Sequence, residues 1–250
     1  MESVAWHQLG RVAEEQQKWG EAERCYCASL EMRERMGDTV GAARAMNQLA
    51  IVAASDGRPA EAETWYLRAI QSAEQLDDAK ALAIRLNNLA GLLSSEVRAA
   101  RAPATRLQEA RSHAERALAI HETLDASSGI WATLNILADI AALAGDPALA
   151  HSYRRRERET FAAFAGNRWH IDNQFGDFIQ AVAAAAGGDI AARVAVEREF
   201  VAMQAGAWGK VPAAIQRLWA GERDRHALCA DLDRQQSLLI LRVLETLAGA

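Results

Sequence analysis

Apolar residues in the first two thirds of the chain fall at helical spacing and return in blocks every 40 residues. Trp6-x-x-Leu9-Gly10, Met46-x-x-Leu49-Ala50, Leu86-x-x-Leu89-Ala90 and Leu134-x-x-Leu137-Ala138 each place two large residues and a small one on one helical face. Thirteen residues beyond the second large residue, Ala22, Ala62 and Ala150 open a second helix, and Ala110 does so after a longer gap. Within that second helix Tyr26 and Ser29, Tyr66 and Ala69, and Ala114 and Ala117 occupy the next two contact positions. Small residues at fixed points let paired helices approach while the large ones fill the space between them. The pattern predicts an all-α chain whose residues 1–165 form an α-solenoid of four helical hairpins.

The turn residues agree. Asp56-Gly57-Arg58-Pro59 sets Gly after one helix and Pro at the first turn of the next, and Gly145-Asp146-Pro147 adds a capping Asp. Gly37-Asp38 and Asp77-Asp78 join successive hairpins. In the third unit Leu89 and Ala110 are 21 residues apart, so an insertion of eight lies near 94–105. It predicts a longer first helix or a protruding loop, read as a tolerated surface insertion in preference to a dedicated contact loop because lengthening a loop costs little free energy. The fourth unit weakens: Arg154 and Glu157 stand where an aromatic and a small residue are expected.

These motifs resemble the tetratricopeptide repeat, whose pattern is W-x-x-L-G, then Ala, an aromatic and Ala in the second helix. The 40-residue unit resembles the longer-helix arrays of spindle-orientation adaptors and of the C-terminal arms of bacterial signal-transduction ATPases. The resemblance implies that the first helix of each hairpin lines a groove for a protein or peptide.

From about Gly166 the period is lost, while helical patterning continues over 172–186, 190–205, 211–220, 225–232 and 235–247. Leu239, Ile240, Val243, Leu244 and Leu247 share one face of the last segment. Trp208-Gly209, Gly221-Glu222-Arg223-Asp224, Leu228, Leu232-Asp233 and Ile240-Leu241 resemble a small helical domain at the C-termini of bacterial tetratricopeptide proteins. Residues 166–250 are read as a helical cap.

Composition narrows the function. Half the residues are apolar, and the net charge is −5, without the concentrated basic face that nucleic acid requires. No apolar run approaches the ~18 residues of a membrane span, and no basic and apolar leader precedes Trp6, so a soluble cytoplasmic protein is expected. Cys25, Cys27 and Cys229 form neither a C-x-x-C motif nor an even disulfide set, which predicts reduced thiols. Phosphate-loop, nucleophile-elbow and H-E-x-x-H signatures are all missing, so no enzyme and no cofactor are expected. His113 and His121, eight apart beside Glu109 and Glu122, lack the further ligands a metal needs. Arg154-Arg155-Arg156-Glu157-Arg158-Glu159 reads as a basic patch or, with Glu interleaved at helical spacing, as a solvated ion-pair face.

One helix-A position is polar in every unit: His7, Asn47, Asn87 and Asn135, at intervals of 40, 40 and 48. A row of Asn offers paired donors and acceptors to an extended peptide backbone, as in the asparagine ladders of tetratricopeptide proteins; alternatively the Asn bridge neighbouring helices. Arg11, Arg44 and Asp139 fall on the same face, with Ile84, and complete the candidate partner site. Only Arg11 and Arg44 could act as cations there, which favours an internal segment over a C-terminal carboxylate. Three functions follow in order: a peptide-binding adaptor; the sensor or scaffold arm of a larger bacterial signalling or effector protein with mainly intramolecular binding, suggested by Met1 standing directly at the first helix; and an enzyme built on His170, Asp172, Asp177 and Asp189. The oligomeric state is open.

Overall fold

The computed structural model describes residues 2–124 and 127–249, apart from the side chains of Ser127 and Ser128; Met1 lies outside the described residues. Among the described residues there are thirteen helices and no strand. The chain divides into two compact units, Met1–Ala150 and His151–Ala250.

The first unit holds α1 (Glu2–Glu15), α2 (Trp19–Arg35), α3 (Thr39–Ser55), α4 (Pro59–Gln75), α5 (Ala79–Arg98), α6 (Arg106–Thr123) and α7 (Ser127–Leu143), each packed on its neighbour in sequence. Helix α8 (Pro147–Ala163) begins in this unit. The repeat signature is the core: Ala22, Tyr26 and Ser29, Ala62, Tyr66 and Ala69, and Ala110, Ala114 and Ala117 are all buried. Tyr26 and Leu30 of α2 share one cluster with Ala45, Met46, Leu49 and Val52 of α3.

The three-residue step from helix to helix contains one left-handed residue in each tight turn. Gln17, Gly37, Gly57, Asp77 and Gly145 have φ of 57°, 69°, 77°, 51° and 80°. The Asp that follows in three of these turns caps the next helix: Asp38, Asp78 and Asp146 accept from the amides of Gly41, Ala81 and Leu149 at 2.8, 2.9 and 2.9 Å. The insertion is shared between helix and loop. Helix α5 runs for 20 residues where α3 has 17, and a turn over 99–105 carries the remainder. Arg101 closes this turn onto buried Glu96 at 2.6 and 3.0 Å.

Ion pairs on the second helices repeat with the chain. Glu23–Arg58 and Glu63–Arg106, both at 2.7 Å, join α2 to α4 and α4 to α6, and Glu34–Arg68 at 3.9 Å and Glu74–Arg116 at 2.7 Å do the same one end farther along. The acids are 40 apart and the arginines 48, the difference being the insertion. Each such half-exposed pair contributes at most about 1 kcal/mol. They recur with the stagger that the packed helix faces set.

Helix α1 departs from the repeat in one respect. Leu9 is 54% exposed, whereas Leu49, Leu89 and Leu137 at the same position are 2%, 0% and 1% exposed. Trp6 and Val12 are likewise open, because among the described residues no second helix lies across this face.

The second unit comprises most of α8, then α9 (Ala165–Ala186), α10 (Ile190–Gln204), α11 (Val211–Trp219), α12 (Arg225–Leu228) and α13 (Arg234–Ala248). Helix α9 starts seven residues before the predicted 172, and α12 stops four before the predicted 232. Phe200 stacks on Trp219, whose indole donates to the Val182 carbonyl at 3.1 Å. Arg242 of α13 grips Asp172 of α9 through two bonds of 2.7 and 2.9 Å. Asp189 caps α10 by accepting from the Ala192 amide at 3.0 Å. Two of the acids weighed for an enzyme site therefore have structural partners.

Two stability measurements check this account. Leu49→Ala should cost about 2–5 kcal/mol in urea unfolding while Leu9→Ala, at the same repeat position, costs under ~0.5 kcal/mol; equal losses would refute the covering of α3 by α2 as the source of burial. Gln17→Gly should stabilise by about 0.5–1 kcal/mol, since a side chain in the left-handed region is strained by roughly 1–2 kcal/mol and glycine's extra unfolded-state entropy takes back part of it.

Candidate functional site

The first helices of three hairpins face a common cleft of about 430 Å³. Its walls are His7 from α1, Arg44, Asn47 and Gln48 from α3, and Lys80, Ala81, Ile84 and Arg85 from α5, with the capping Asp78 at one edge. The 40-residue period places equivalent helix faces side by side, which is why residues far apart in sequence meet here.

A polar network runs behind the cleft. Tyr26 donates its hydroxyl hydrogen to Glu14 at 2.7 Å, and Gln48 donates to both at 3.4 Å. Asn47 donates to Gln48 at 3.3 Å and accepts from Asn88 at 3.3 Å, linking α3 to α5. Burial, followed by the hydrogen bond to Glu14, raises the Tyr26 pKa, so the phenol stays protonated. The His7 ring meets the Tyr26 ring edge to face at 5.2 Å, and its Nδ1 is buried without a partner. Burial, then the positive fields of Arg33, Arg11 and Arg44, lowers the His7 pKa and keeps the ring neutral.

Arg85 is the unusual wall residue. Its side chain is 5% exposed, Nε and Nη1 are buried without a hydrogen-bond partner, and burial lowers its pKa. Its repeat position is occupied by Ala45 and Thr133 in neighbouring units, both fully buried. In sequence Arg85 is one more cation of an amphipathic helix; its burial is visible only once the repeat register sets it beside Ala45 and Thr133.

The predicted partner residues separate into two groups. His7, Arg44 and Asn47 come together on the cleft. Asn87 is half-buried with its Oδ1 lacking a partner, off the cleft wall. Asn135 is exposed on α7, Asp139 pairs with Arg98 at 2.6 Å, and Arg11 lies in solvent beside Gln8 and Glu15 at 3.4 and 3.9 Å. The cations of the cleft are thus Arg44, Lys80 and Arg85, and Arg11 is replaced by two residues that sequence spacing did not single out.

Among the described residues no cluster of three His, Cys, Asp or Glu could hold a metal, and no helix is long and apolar enough to cross a membrane. His113 instead approaches Glu109 at 3.9 Å, and His121 is buried against Gly129, where a Cβ would meet its ring at 2.2 Å.

Burial lowers the pKa of His7, His113 and His121 below the ordinary 6.5. The unfolded chain therefore takes up protons more readily below that value, and the stability these rings confer is complete above pH ~6.5 and lost as pH falls. The urea midpoint should drop between about pH 7.5 and 5.5, and His121→Gln should flatten that drop; a midpoint equally pH-dependent in the variant would exclude His121 as a contributor.

The family model described as tetratricopeptide repeat matches residues 2–75, which span α1 to α4. No curated protein matches the sequence. Among solved structures, BtubC (BKLC) from P. vanneervenii superposes with a TM-score of 0.57 at 23% identity, over 64% of this chain and 63% of that one. The apo form of RapI superposes with a TM-score of 0.60 at 13% identity, over 98% of this chain and 85% of that one. At such identities the likeness is one of fold, and the chain spans just under two thirds of BtubC. Residues 2–75 carry tetratricopeptide repeats, and the fold is that of a tetratricopeptide-like helical solenoid.

Proposed function

We propose that this protein is a non-enzymatic interaction scaffold that holds an internal polypeptide segment in the cleft of α1, α3 and α5. One observation carries the reading: the wall of the cleft contains a buried guanidinium, Arg85, that forms no ion pair among the described residues and whose Nε and Nη1 have no hydrogen-bond partner, Asp78 acting on it only at a distance. Unpaired buried polar groups cost free energy, and a bound partner that supplies acceptors recovers it. With Arg44 and Lys80 beside it, the cleft suits a segment bearing an acidic side chain, while Asn47 and Gln48 serve its backbone and Ile84 an apolar neighbour.

A second reading, in which the chain is an arm of a larger assembly, is favoured by the open Leu9 and Val12 face of α1, which fits a further helix. The two are separated by one experiment with a displayed library of random peptides. Enriched peptides should carry Asp or Glu, and Arg44→Ala with Arg85→Met should weaken them roughly tenfold while helicity holds. Leu9→Glu with Val12→Glu should leave them unchanged. Binding lost only in the α1 variant would replace the cleft by the α1 face, and binding unaffected by either would remove both.

A further inference from the structure

The second unit contains a cavity of about 210 Å³ that the repeat fold does not account for. It is enclosed by α8, α9, α13 and the segment around α12. Arg158 of α8 lines it and is only 7% exposed, yet its guanidinium forms neither a hydrogen bond nor an ion pair among the described residues. The run read as a solvated ion-pair face is exposed at Arg154, Arg155, Arg156 and Glu159 but not at Glu157 and Arg158, which are buried, with Glu157 taken by Arg234 of α13 at 3.3 Å. Ser237 of α13 also lines the cavity; it is fully buried, and its Oγ has no partner.

The charges around the cavity do not balance. Arg168 is neutralised by Glu245 at 2.6 Å, and His226 faces Glu159 at 3.9 Å. Arg155, Arg158 and Arg225 form no ion pair among the described residues, and Glu157 and Glu159 act on Arg158 only at a distance. Arginine stays charged even where burial opposes it, as it does at Arg158. A buried charge with no partner is strongly unfavourable, so the arrangement calls for an anion.

We propose that this cavity is a binding site for a small oxyanion, a phosphate monoester or a carboxylate, held by the Arg158 guanidinium and the Ser237 hydroxyl. The guanidinium fork presents parallel donors to either group, and Ser237 adds a neutral one. Ala162 and Leu241 form an apolar wall for a short carbon body. The cavity has room for a group the size of phosphate or succinate. This site is independent of the α1, α3 and α5 cleft.

Calorimetric titration of the full chain with sodium phosphate and, separately, with sodium succinate tests it, with chloride holding ionic strength constant. Saturable binding of either at one site is expected. Phosphate alone assigns the phosphate class, succinate alone the carboxylate class, and both the shared oxyanion. Arg158→Met should weaken binding at least roughly tenfold and Ser237→Ala several-fold. Without anion, Arg158→Met should keep or raise the melting temperature, because it removes an unpaired charge; a merely structural arginine would lower it. Should Arg158→Met fail to fold, Arg158→Lys keeps the charge, loses the fork and should still weaken binding. Absence of saturable heat up to about 20 mM of both anions, or equal binding by wild type and the Arg158 variants, would overturn the proposal.

Discussion

Everything in the first unit depends on one contact, the laying of each second helix across the leucine face of the first helix that follows. Leu49, Leu89 and Leu137 are buried by it, and Leu9, which lacks it, is half exposed. No single hairpin closes a core alone. Stability is thus shared between neighbours, as expected for a one-dimensional stack. The small residues, Ala22, Ala62 and Ala110 among them, serve this contact by letting helix backbones approach within the reach of Tyr26 and Tyr66.

Because the stack repeats, each helix face becomes a continuous surface with its own chemistry. The second helices align Glu23, Glu63 and their arginine partners into recurring cross-hairpin pairs. The first helices align His7, Asn47 and Arg85 along the cleft. Charges on the second-helix surface are matched within the chain. Those of Arg44, Lys80 and Arg85 on the cleft form no ion pair among the described residues. The same contrast separates the neutralised surface of the second unit, with Arg242 on Asp172, from the unbalanced interior around Arg158.

Much of the fold was legible from the chain because the repeat is written in residue volume. Large and small residues at fixed intervals located the hairpins of the first unit, and Gly, Asp and Pro in the turns located their ends. The insertion was visible in register, but its division between a longer α5 and the turn closed by Arg101 on Glu96 was not, since both outcomes satisfy the same count. The candidate cleft was half legible: polarity at a helix-A position found His7 and Asn47 and also Asn135, which lies exposed away from the cleft.

The sequence by itself determined the helical class, the 40-residue unit, the turn chemistry and the identity of the core positions, because each of these depends on local propensity and on volume at short range. Only the tertiary structure decided which polar residues are buried and which of them are paired. Arg85 and Arg158 look in sequence like ordinary surface cations, as Arg58 does. Arg58 pairs with Glu23, Glu61 and Asp56, whereas the other two form no ion pair among the described residues. Whether a charge is matched depends on what distant helices bring within about 4 Å of it, and that distance is set by packing and not by neighbours along the chain.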